Sequence, residues 1–151
     1  MVPPIVFTAS PLDRASARRG DPAWMAARLA DPTSRFLPMR ELKPLVRPGP
    51  APVLAWQKAA AVEEAFGLGE AAVLLGVDGG ICHFAVDADG GKTEYDGKFI
   101  DARTIAPELP AGDAAIMAQA RSLVDWHRRH RFCANCGKAS APDQGGYSRR
   151  C

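Results

Sequence analysis

Cys133-Ala134-Asn135-Cys136, followed after fourteen residues by Cys151, constrains this chain more than any other feature of its 151 residues. Two thiolates two residues apart can face one ion from a single turn. A third at that distance fits the second arm of a four-cysteine ribbon, the tetrahedral arrangement that zinc prefers. A C-x2-C-x14-C-x2-C frame places its last cysteine at position 154, so the pattern predicts a continuation beyond residue 151.

Composition sets the frame around this cluster. The length suits one packed core with a small appendage. Hydrophobic residues at 47% and charged residues at 24% are those of an ordinary globular domain. A net charge of +2 demands neither a polyanionic partner nor an anionic membrane. No apolar run approaches the roughly 20 residues of a membrane helix. The start Met1-Val2-Pro3-Pro4 lacks the pattern of a secretory signal. Four cysteines without such a signal, three of them grouped at one end, favour metal over disulfides and predict a cytoplasmic protein.

Along the chain, Ile5-Val6-Phe7 reads as a short strand and the stretch from Pro11 to Arg19 as polar and irregular. Asp21-Pro22 supplies a cap and a first-turn proline for a helix through Leu29. Arg35 to Met39 and Val53 to Trp56 read as strands, separated by a proline-rich connection from Pro44 to Pro52. Gln57 to Ala65 is expected to be a short helix. Asp78-Gly79-Gly80 joins Ala72–Val77 and Ile81–Val86 as a hairpin. Cys82 shares a strand face with Phe84 and Val86 and reads as a small buried apolar residue. A helix follows Pro110, with Asp113 as its cap and Ile116, Ala120, Leu123, Val124 and His127 on one stripe. Arg128, Arg129 and Arg131 gather at its end, where the partial negative charge of the C-terminus favours cations. The expected fold class is α+β: a mixed α/β domain with a β-sheet over residues 1–110, a connecting helix over 111–130 and part of a zinc ribbon over 131–151.

Gly137 lets the backbone fold back toward the first two sulfurs, and Gly145-Gly146 makes the turn of a second hairpin that returns the chain to Cys151. A knuckle this small has almost no apolar core, and a structural zinc at such a site is worth about 10–16 kcal/mol in metal-folded peptides. Structural zinc on Cys133, Cys136 and Cys151 is therefore the preferred reading. A redox C-x-x-C pair is expected at a helix N-terminus, whereas this pair follows a helix. A catalytic zinc needs a general base, and none is evident nearby. A metal-free knuckle is the third alternative, since three ligands leave a tetrahedron incomplete. His127 and His130 are further ligand candidates, but a hydrogen-bonded core role suits His127 and a helix-end role suits His130.

Leu12-Asp13-Arg14, Arg18 to Asp21, Phe99 to Arg103, and above all Trp126-His127-Arg128-Arg129-His130-Arg131-Phe132-Cys133-Ala134-Asn135-Cys136-Gly137 resemble the NADH pyrophosphatase family of Nudix hydrolases. The resemblance runs on through Gly145-Gly146 to Arg150-Cys151. It implies an N-terminal α/β domain, a four-cysteine zinc ribbon and a catalytic Nudix domain. The implied activity is cleavage of NADH or NAD to a nicotinamide mononucleotide and AMP, with NAD-capped RNA as a further substrate of some members. It also implies a homodimer, and Mg2+ or Mn2+ in the catalytic domain. Cys133, Cys136 and Cys151 match three of the four zinc ligands.

The Nudix box Gly-x5-Glu-x7-Arg-Glu-U-x-Glu-Glu-x-Gly-U, with U aliphatic, gathers divalent metal around a diphosphate. Glu63-Glu64-Ala65-Phe66-Gly67 does not satisfy it. Its glycine falls one residue late, and Ala59-Ala60 stand where Arg-Glu belongs. No catalytic residue is assigned in this chain. Asp13, Asp21, Asp87 and Asp89 lack a paired base and are expected in solvated loops or strand ends, while Ser10 and Ser16 lack any nucleophile context. The rival reading is a non-enzymatic zinc-ribbon module that binds nucleic-acid phosphates through Arg128, Arg129, Arg131, Arg149 and Arg150.

Overall fold

A computed structural model describes residues 7–66, 72–91 and 94–151. Helix α1 (Pro22–Leu29) begins where expected, with the Asp21 carboxylate accepting from the N–H groups of Ala23 and Trp24. The strands β1 (Arg35–Arg40), β2 (Lys43–Arg47), β3 (Val53–Leu54) and β4 (Gln57–Lys58) follow, then α2 (Ala59–Phe66). Next come β5 (Ala72–Asp78), β6 (Ile81–Asp87), β7 (Lys98–Phe99), α3 (Ala102–Ile105) and α4 (Ala111–Arg129). The pair β8 (Ala141–Asp143) and β9 (Ser148–Arg150) closes the chain. The α+β class is borne out. Of the expected first strand, Ile5 and Val6 lie outside the described residues; Phe7 is exposed in a turn.

The sheet runs β3-β2-β1-β6-β5, with β4 also on β1 and β7 also on β2. Among the described residues, only β1 and β6 pair in parallel. Alternate residues face opposite sides, and both sides are covered. Leu37, Leu75 and Ala85 face Ile116, Met117, Ala120 and Val124 of α4. Phe36, Leu74 and Phe84 face the other way, with Val62 of α2 and with Trp24 and Met25 of α1 packed against them. The Phe36 and Phe84 rings stack at 5.1 Å across the parallel pair. Cys82 lies in this second layer at 1% exposure, and burial pushes its thiol pKa up, so it is a core residue.

The β5–β6 hairpin turns at Gly79 (φ +54°) and Gly80 (φ +84°), where two successive left-handed residues match the twist of the strands. The region before it corrects the sequence reading. Residues 43–47 are a strand rather than a proline-rich connection, and Pro44, Leu45 and Val46 are fully buried in it. Proline is tolerated because Pro44 pairs with Met39 one step beyond the Arg40–Lys43 closing pair. A nitrogen at that step faces away from β1 and owes it no hydrogen bond. The carbonyl of Pro44 accepts from Ile100 N–H at 3.2 Å. The expected strand Val53–Trp56 is likewise broken. β3 pairs with β2, the chain then crosses, and Gln57–Lys58 pairs with β1 before α2 begins at Ala59.

Pro110 precedes α4 at the cap position and offers no side-chain hydrogen bond. Asp113 instead lies within the first turn and accepts from Leu54 N–H at 3.2 Å, tying the helix to β3. Among the described residues, no helix is long and apolar enough to cross a membrane.

Candidate metal centre

The end of α4 feeds directly into the cysteine cluster. His130 closes the helix: its backbone N–H and its Nδ1 both reach the Trp126 carbonyl, at 3.0 and 2.9 Å. Three residues on, Cys133 N–H donates to the Lys138 carbonyl at 2.8 Å, and Gly137 N–H donates to the Cys133 carbonyl at 2.9 Å. These bonds close a tight knuckle over Ala134 and Asn135. Ser140 N–H donates to the Arg131 carbonyl at 2.9 Å and holds its two arms together. The β8–β9 hairpin then brings Cys151 back to it.

The three thiol sulfurs lie within 4.8 Å of one another. Tetrahedral zinc with Zn–S bonds of about 2.3 Å spaces its sulfurs by about 3.8 Å, so the donor set and its spread fit that ion. The proton affinities of Cys133 and Cys151 are shifted in opposite directions. The N–H groups of Cys136 and Asn135 point at Cys133 and, with the Cys136 and Cys151 thiols, bring its pKa down to about 7. The Cys133 thiol, and then that of Cys136, push Cys151 up. The lowered Cys133 pKa favours the thiolate form that metal capture near neutral pH requires. Neither His127 nor His130 belongs to this cluster.

The ribbon is seated on the domain rather than hung from it. Gly146, buried with φ +91°, sits so close to Val73 on β5 that an added Cβ would come within 2.7 Å of its Cγ1. His127 Nε2 meets the Gly146 carbonyl at 2.8 Å, and its Nδ1 faces an Arg149 guanidinium N–H at 2.6 Å. The carbonyl can only accept and the guanidinium can only donate, so His127 is neutral with its proton on Nε2. Burial first, and the nearby Arg149 charge, hold its pKa below the ordinary 6.5 against the opposing pull of the Gly146 carbonyl. Tyr147 reaches the Leu75 carbonyl and accepts from Gln119 Nε2, while the Arg19 guanidinium lies 3.8 Å above its ring. With the Asp13–Val77 bridge, these contacts cover the outer edge of β5.

The structure redistributes the charged residues. Asp13 and Asp21 close local turns onto Ala15 N–H and onto the start of α1. Asp87 and Asp89 are not left to solvent. Arg128 makes two bonds to Asp87, at 2.7 and 2.6 Å, and a third contact to Asp89 at 2.6 Å. Asp89 also accepts from Glu41 N–H in the β1–β2 turn. Arg128 is therefore a clamp across the fold, not a helix-end charge, and a separation of 41 residues hid it from sequence reading. Arg129 pairs with Asp125 and Arg150 with Asp143. Glu63 and Glu64 are exposed on α2. Ser10 accepts from Leu12 N–H, and Ser16 is exposed.

Fold and site together define a class: a small α+β domain carrying a docked cysteine ribbon. Residues 33–126 match the model of the NADH pyrophosphatase-like rudimentary NUDIX domain, and residues 128–151 match that of the NADH pyrophosphatase zinc ribbon domain. The chain belongs to the NADH pyrophosphatase family of Nudix hydrolases. It is 28% identical to the human NAD-capped RNA hydrolase NUDT12, over 96% of this chain and 39% of that protein. A Schizosaccharomyces pombe NAD-capped RNA hydrolase is 30% identical over 93% of this chain and 47% of its own length. The NAD-capped RNA hydrolase NudC of Deinococcus radiodurans is 32% identical over 55% of this chain and 29% of its own. The chain thus spans less than half the length of these relatives.

Proposed function

We propose that this chain is the N-terminal and zinc-ribbon portion of an NAD(H) diphosphatase that cleaves NADH or NAD to a nicotinamide mononucleotide and AMP, with NAD-capped RNA as a further substrate. The observation that carries the reading is the three-thiol cluster, within 4.8 Å, in a ribbon docked on the rudimentary sheet. In this reading Cys133, Cys136 and Cys151 hold a structural zinc. When bound, it cross-links the two arms of the ribbon. The chain's own residues do the rest: Gly146, Tyr147, His127 and Arg149 fix the ribbon on β5 and α4.

The Nudix box is absent from residues 1–151, so the divalent metal, Mg2+ or Mn2+, and the attack on the diphosphate belong to residues outside this chain. The domain limits read from the sequence, the homodimer and the cytoplasmic location are part of the same proposal. Incubating the 151-residue chain with NADH and Mg2+ or Mn2+ tests the division of labour. No AMP is expected, while the product of the complete reading frame releases it. Hydrolysis by the short chain, or none by the complete product, would overturn the proposal.

A further inference from the structure

Between the end of α4, the β5–β6 layer and the ribbon lies an open cleft of about 540 Å³. Three arginines line it, Arg128, Arg131 and Arg149, against one carboxylate, Asp87. Arg128 is already spent on Asp87 and Asp89. Arg149 is half-buried and bonds only to uncharged groups, the Ser140 hydroxyl and carbonyl and the neutral His127. Arg131 is exposed and makes no side-chain ion pair among the described residues. The lining thus holds two guanidinium charges that no carboxylate neutralises. Beside them stands Phe132, 68% exposed, the most exposed of the large hydrophobic side chains among the described residues. A solvent-facing aromatic ring flanked by unpaired guanidiniums is the minimal platform for a strand of nucleotides, with phosphates on the cations and a base on the ring.

We infer that this cleft binds single-stranded RNA, with Arg131 and Arg149 on consecutive phosphates and Phe132 stacked on one base. Charge complementarity selects the occupant, since an apolar protein segment would leave both guanidinium charges without a neutralising anion. The inference rests on the proposed capped-RNA substrate and gives the ribbon face the strand that follows the cap. Of the five arginines in the nucleic-acid reading, the structure keeps two for this role and commits Arg128, Arg129 and Arg150 to carboxylates.

Fluorescence anisotropy of the zinc-loaded full chain with an uncapped oligoadenylate tests it. Because no cap and no hydrolysis are involved, the result is separate from that of the NADH assay. Phe132→Ala is expected to weaken binding by roughly 5-fold or more with an unchanged salt slope, as loss of one stacked base implies. Arg131→Gln is expected to weaken binding and to lower the slope of log K against log salt by about 0.7, the value for one single-strand phosphate contact. Arg150→Gln, an exposed ribbon arginine outside the cleft, serves as the control and should leave affinity within about 2-fold, whereas binding by surface charge alone would weaken there as it does at Arg131. No binding at low salt, equal losses in all three variants, or equally tight binding of free AMP would overturn the proposal.

Discussion

His127 on α4 and Gly146 in the β8–β9 turn are joined by a 2.8 Å hydrogen bond that seats the ribbon on the domain. The bond needs a proton on Nε2, and Arg149 opposite Nδ1 needs that nitrogen bare. A second proton therefore breaks the arrangement.

The pH dependence follows from the sign of the shift. His127 has a folded pKa below the ordinary 6.5, with burial the leading cause, and His83 is depressed in the same direction by burial. Below about pH 6.5 the unfolded chain binds protons that the native state refuses, so stability falls as pH drops. Thermal melts at about pH 7.5 and about pH 5.5 should show a loss in the wild type that is smaller in His127→Ala, which has no such proton to exclude. Equal losses in both proteins would remove His127 from the linkage.

Gly146→Ala is expected to destabilise the chain by about 2–4 kcal/mol, because the new Cβ meets Val73 and the backbone sits at a φ that alanine avoids. Urea unfolding measures the loss. Hydrogen exchange over residues 141–150 should report a ribbon that detaches, since the Tyr147 hydroxyl partners Gln119 and Leu75 lie on the domain.

Arg128→Ala leaves Asp87 and Asp89 without their shared cation. The side chains are only partly exposed, at 22%, 32% and 40% for Arg128, Asp87 and Asp89. The expected cost is about 1–3 kcal/mol, below that of a fully buried pair. Arg128→Lys should recover only part of it, because a single ammonium cannot reproduce the two bonds to Asp87. A urea series on the two variants checks the order.

Features set by neighbouring residues could be read from the chain. Gly79-Gly80 gave the hairpin because left-handed backbone is cheap for glycine, and Asp21-Pro22 gave α1 because cap and first turn are local. The C-x-x-C knuckle and the stripe on α4 follow from spacing alone. What failed depends on distant partners. Pro44 argued against a strand until its pairing with Met39 showed where its missing N–H falls. The β1–β2 turn was invisible because Glu41 and Leu42 (φ +51° and +61°) stand where glycine or asparagine is usual. The Asp89 carboxylate accepting from Glu41 N–H, with Arg128 behind it, helps hold that turn. The seating of Gly146 on Val73 joins residues far apart in the chain, and no local pattern announces it.

Zinc K-edge absorption of the purified chain, combined with metal analysis, is the most direct test of the ribbon assignment. One zinc per chain is expected, with about three sulfurs at about 2.3 Å. Cys133→Ser should lose the signal and Cys82→Ala, in the core, should keep it. A chain that carries no zinc, or a zinc shell of nitrogen and oxygen alone, would contradict a structural zinc on Cys133, Cys136 and Cys151.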